Sequence, residues 1–141
     1  MKTKPANDLG LQYPRVWSAI GMLMLLALIM LSMITIDQSA ISIPHLDKIQ
    51  HFLAWLIIMF WFASIYPRHK LIMLGTLLTV SLGVELMQAL LSWRQGSAID
   101  LLANFVGLVT GLVLAVINKG LLLKLFDRIL ASLLRTLKIH N

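Results

Sequence analysis

The chain contains no cysteine. That excludes a disulfide framework, a thiol nucleophile and a thiolate metal site. It is also poor in charge. Asp, Glu, Lys and Arg make up 13% of the residues, against about 25% in a soluble domain. Acids are the scarcest, with six in 141 residues. A water-facing surface around a conventional core is therefore excluded. Apolar residues make up 59% and are gathered in long runs near the ~20 residues needed to cross a bilayer. At this length there is room for one membrane domain and little else.

Four runs stand out, over about 16–36, 46–66, 71–91 and 99–117. The first exceeds the usual ~7–15 residue core of a secretory signal and lacks a small-x-small cleavage site, so it reads as an uncleaved helix. Pro67 in "PRHK" and Gly96 in "SWRQGSA" mark turns, because proline cannot continue a helix. After Gly120, residues Leu122, Phe126, Ile129, Leu130, Leu133 and Leu137 recur at helical spacing. Lys124, Arg128, Arg135 and Lys138 interrupt them too often for a crossing. A basic amphipathic helix on the membrane surface fits this pattern. The expected architecture is all-α: a polar lead over 1–15, a four-transmembrane-helix bundle over 16–118 and an amphipathic interfacial tail over 119–141. The tail is expected to be dispensable for assembly of the four spans.

Basic residues set the expected orientation. Ten of the twelve Lys and Arg fall in the lead, the turn between the second and third spans, and the tail. The exceptions are Lys48 and Arg94. Both termini are thus expected in the cytoplasm, with the protein multi-pass in the cytoplasmic (inner) membrane. The net charge of +6 is then explained by attraction to anionic lipid, and no nucleic-acid partner is implied.

The opposite end holds four of the six acids and their neighbours. Asp47, Lys48 and His51 open the second span. Glu85 and Gln88 stand three apart near the close of the third, and Ser97, Asp100 and Asn104 open the fourth. Residues three and four apart share a helix face. At 1.5 Å per residue, His51 lies roughly 6 Å below Asp47, Asn104 about 6 Å below Asp100, and Glu85 about 10 Å below Ser92. Three polar pairs so reach one outer layer. An acid inside a membrane needs a partner. For Glu85 the expected ones are His51, Lys48, Arg94 or His45. Asn104, Gly107 and Gly111 form a stripe for close helix approach, while Gly75 and Gly83 are expected to make separate packing contacts. No tight ligand pair supports a metal, and no cofactor is implied. Ser81, Ser92 or Ser97 beside His51 as base is an unspecific nucleophile pattern.

The elements "DKIQHF", "GVELMQ" and "SAIDLLANFVGLVTG" occur in the order and with the intervals of the VanZ-like family, which the chain resembles from about Asp47 to Gly111. The resemblance carries Asp47, Lys48, His51, Phe52, Glu85, Gln88, Ser97, Asp100, Asn104 and Gly107 forward as matching positions. It implies an envelope-related membrane protein, with a link to resistance against the glycopeptide teicoplanin, and names no reaction.

Three functions compete. In an enzyme, His51 acts as general acid or base, Glu85 or Asp100 orients it, and Lys48 and Arg94 hold an anionic lipid headgroup. In a binding protein the same pocket, with Gln88, Ser97, Asp47 and Asn104, holds an envelope lipid, a cell-wall precursor or a glycopeptide. In a structural membrane protein the polar layer only fastens the bundle. The residues leave enzyme and binding protein both open.

Overall fold

The computed structural model describes residues 9–34, 45–91 and 97–139. These form five helices, and no strand occurs among them. The helices are α1 (Pro14–Ser32), α2 (Leu46–Ile65), α3 (Lys70–Leu90), α4 (Ala98–Asn118) and α5 (Leu121–Ile139). The first four are long and apolar enough to cross a membrane. The protein is an all-α, multi-pass membrane protein.

Local chemistry explains the helix limits. α1 begins two residues earlier than expected because Pro14 occupies its first turn, where a missing N–H costs nothing. It ends earlier too. The Ser32 hydroxyl donates to the Ile29 carbonyl at 2.7 Å, and Met33 and Ile34 close the helix with tighter bonds to Met30 and Leu31. Residues 35 and 36 of the expected span lie outside the described ones. α4 starts with a serine cap: Ser97 Oγ accepts from the Ile99 amide at 3.2 Å, and Asp100 sits in the first turn, where a carboxylate suits the positive helix end. At its other end Lys119 and Gly120 take left-handed backbone conformations, with φ of 52° and 72°. These end α4 and turn the chain into α5.

The α2–α4 pair is the principal seam of the bundle. The two helices run parallel, and glycine is what lets them meet. A Cβ on Gly107 would strike the Phe52 carbonyl oxygen, and one on Gly111 would strike that of Leu56. Trp55, Ile58, Met59 and Phe62 of α2 then pack with Leu77 of α3 and Leu108 of α4 to form the core. α1 leans on α2 through Gly21, against Trp61 and Phe62. Gly75 and Gly83 do not make the packing contacts expected of them. Each faces open space on an exposed side of α3. Many large apolar side chains of the four long helices point outward, among them Leu23, Met30, Ile57, Leu71, Leu90 and Ile117. Hydrocarbon, not water, suits such a surface.

α5 is not a loose appendage. Its Leu123, Asp127 and Ala131, spaced four apart, are buried. Leu123 packs with Leu11 and Trp17 at the start of α1, and with Ile65. Leu122, Ile129, Leu133 and Leu137 remain exposed on one side, while Arg128 and Arg135 are exposed on another. The helix thus has an apolar face, a cationic face and a flank clamped to the bundle. The first two match an interfacial helix.

Candidate functional site

The polar residues of α2, α3 and α4 gather at the end of the bundle where α2 and α4 begin. They do so because α2 and α4 are parallel and nearly in register, so their first turns lie side by side. Lys48 stands between two carboxylates. Its Nζ is 2.7 Å from Asp47 Oδ2 and also forms an ion pair with Asp100 Oδ1 across the seam. The Lys48 and Asp100 side chains are only 24% and 10% exposed, and that of Asp47 is 40%. Asp100 is therefore the partner that lysine neutralises in the interior, and Asp47 is the partner that faces out.

One turn deeper, His51 Nδ1 lies 2.9 Å from Asn104 Oδ1. With an amide oxygen as acceptor, the shared hydrogen belongs to Nδ1. In the neutral ring this leaves the lone pair on Nε2, the tautomer needed for a base or a ligand. Asn104 is fully buried, and its Nδ2 has no hydrogen-bond partner among the described residues. An unmatched buried amide of this kind costs roughly 1–3 kcal/mol.

Glu85 does not meet three of its four expected partners, and the fourth, Arg94, lies outside the described residues. Its Oε1 accepts from the Ser97 backbone amide at 2.5 Å, and it is not paired with His51, Lys48 or His45. The physical reason is that the first amides of a helix have no partner inside it. Here a carboxylate from the neighbouring α3 supplies one, at the positive end of α4. The second oxygen, Oε2, is buried with no hydrogen-bond partner among the described residues. Gln88 also departs from the expected pocket. Its Nε2 donates to the Ser32 carbonyl at 2.7 Å, tying α3 to the end of α1. Ser81 is fully buried and gives its hydroxyl to the Leu78 carbonyl at 3.0 Å, so it is occupied within its own helix. Arg94 and Ser92 lie outside the described residues.

The structure therefore unites Asp47, Lys48, His51, Asp100 and Asn104 along the α2–α4 seam. Glu85 with Ser97 forms an adjacent contact at the head of α4, and Gln88 stands apart toward α1. Chemically, the seam and the adjacent Glu85 contact offer a cation, an imidazole, and two buried polar atoms with no hydrogen-bond partner among the described residues. Among the described residues no three of His, Asp and Glu converge as metal ligands.

A second polar centre was not expected. Asp127 on α5 is buried and accepts from the Gln12 amide at 2.7 Å, the Tyr13 amide at 3.1 Å and the Trp17 indole at 2.8 Å. It caps the start of α1 from a helix more than a hundred residues away. The signal in the sequence was slight: one acid in an otherwise basic tail, and a tryptophan near the chain's start that needs an acceptor when buried. Comparison with protein-family models, curated proteins and solved structures finds no match to this chain.

Proposed function

We propose that this is a VanZ-like membrane protein of the cell envelope, with both termini in the cytoplasm, that binds an anionic envelope lipid or cell-wall precursor at the outward end of the bundle. The observation that carries this reading is the seam itself. Three charged side chains and a histidine sit in a largely apolar chain, where each is costly unless paired or hydrated. They lie beside two buried polar atoms, Glu85 Oε2 and Asn104 Nδ2, that have no hydrogen-bond partner among the described residues. A phosphate or carboxylate ligand would engage Lys48, and its hydroxyl or amide groups would engage the His51 lone pair. With Nδ1 donating to Asn104, the neutral His51 ring would present Nε2 as a general base, so a hydrolytic or transfer step on such a ligand is compatible with the site. The family motifs and the ten-to-two split of basic residues support the envelope setting and the orientation.

The second reading is fastening without function. It is favoured by Lys48, which has two partners inside the protein, and by the Glu85 bond to the Ser97 amide. Glu85→Gln and His51→Ala separate the two. Each variant would be expressed in a teicoplanin-sensitive bacterium, and resistance and folded membrane abundance measured together. Loss of resistance at normal abundance supports a functional site. Loss in proportion to abundance supports fastening. Full resistance at normal abundance in both variants removes the proposal.

A further inference from the structure

A cavity of about 250 Å³ lies at the opposite end of the bundle, between the α2–α3 turn and the last turn of α4. Its walls are Ala63, Pro67, Lys70, Ala115, Val116 and Lys119. We infer that this cavity is a binding site for the headgroup of an anionic phospholipid, held between Lys70 and Lys119. The inference rests on the reading of the four long helices as membrane spans, and it concerns a different site from the α2–α4 polar seam.

Position is the first argument. α3 begins at Lys70 and α4 ends one residue before Lys119, and each helix has 21 residues. Such a helix is roughly 31 Å long, close to the ~30 Å hydrocarbon thickness. Both lysines therefore stand at the end of a span, at the depth of lipid phosphates. Charge is the second argument. No acid lines the cavity, and neither lysine has an ion pair among the described residues. Two lysines from separate elements line one small space that has no acid among its walls. A phosphodiester with no cation of its own satisfies them, whereas a choline headgroup brings a third positive charge.

Shape is the third argument. Ala63 and Ala115 are small and buried, which hollows the floor between α2 and α4. At about 30 Å³ for each water-sized group, the space suits a phosphate with part of its glycerol. From Val116 the exposed Val113 and Val109 continue along α4 at three- and four-residue steps. This ridge gives an acyl chain an apolar track into the membrane. Basic pockets between transmembrane helices are known to take such headgroups.

The test uses the full chain in detergent micelles, with bound lipid counted by native mass spectrometry. Phosphatidylglycerol, phosphatidylcholine and inorganic phosphate are each titrated. A juxtamembrane lysine contributes roughly a factor of five in affinity for anionic lipid. The wild type should prefer phosphatidylglycerol over phosphatidylcholine by tenfold or more. Lys70→Gln with Lys119→Gln should abolish that preference, while Arg128→Gln with Arg135→Gln should keep it. Equal binding of the two lipids by the wild type overturns the site. So does loss of preference in both double variants, or only in the arginine pair, because each places the anion elsewhere. Inorganic phosphate binding as tightly as the lipid overturns a lipid as the occupant.

Discussion

Replacing Gly107 with alanine adds one methyl group at the tightest point of the α2–α4 seam. The new carbon would meet the Phe52 carbonyl oxygen, and would lie 3.1 Å from its carbonyl carbon and 3.2 Å from the Leu56 amide nitrogen. All three are backbone atoms, so no side chain can rotate aside. Carbon contacts settle near 3.5–4.0 Å, and α4 must therefore move off α2 by roughly half an ångström or more. Asn104 lies one turn from Gly107, so the 2.9 Å bond to His51 stretches as the helices part. Overpacking of this kind costs about 1–3 kcal/mol, a fall of roughly 3–10 °C in thermal midpoint for a chain of this size. Gly83→Ala is the control, since nothing lies within 4 Å of its added carbon. Alanine is the better helix former, by about 0.5–1 kcal/mol, so that variant should match or exceed the wild type. Tryptophan fluorescence during heating of detergent-solubilised protein reads both. A Gly107→Ala midpoint at or above the wild-type value would refute the claim that backbone contact sets the seam.

Other perturbations follow from the same contacts. Lys48→Ala leaves buried Asp100 unpaired and should lower stability by about 1–3 kcal/mol, below the 3–5 typical of a fully buried pair because Lys48 is partly exposed. Asp47→Ala should cost much less, and comparing their thermal midpoints checks the order. Asp127→Ala leaves the buried Trp17 indole without its acceptor and should cost about 1–3 kcal/mol. Deleting residues 121–141 should do at least as much, read as a lower midpoint and a changed Trp17 environment, because Leu123 and Ala131 are lost with the acid. The native chain has no cysteine, so single substitutions report orientation. His45→Cys should react with a membrane-impermeant reagent from outside intact cells, and His69→Cys should not.

The fold was legible in the sequence where one physical rule dominated. Long apolar runs bounded by Pro67 and by the polar stretch after Leu91 gave α2, α3 and α4 to within a residue or two, because span length is set by bilayer thickness. Gly107 and Gly111 were readable because they fall on one helix face with Asn104. Gly75 and Gly83 were not, because a glycine on a lipid-facing side looks the same in sequence as one at a contact. Pairing was the harder matter. Spacing placed Asp47, Lys48, His51, Asp100 and Asn104 at one depth, and parallel α2 and α4 brought them together. Spacing could not reveal that Glu85 would find a backbone amide, since every helix start offers unpaired N–H groups and any nearby acid can take one. Asp127 was missed for a related reason. A polar residue on an amphipathic tail is normally solvated, and only the fold-back of α5 onto Trp17 shows otherwise.

The most direct measurement of the central claim is an experimental structure in a lipid environment, prepared with teicoplanin or with cell-wall lipid precursor. A binding site there gives non-protein density at the head of the α2–α4 seam, within hydrogen-bonding reach of Lys48 Nζ or His51 Nε2, and a partner for Glu85 Oε2 or Asn104 Nδ2. A seam with no density beyond protein and water, with Lys48 still closed between Asp47 and Asp100, would contradict it.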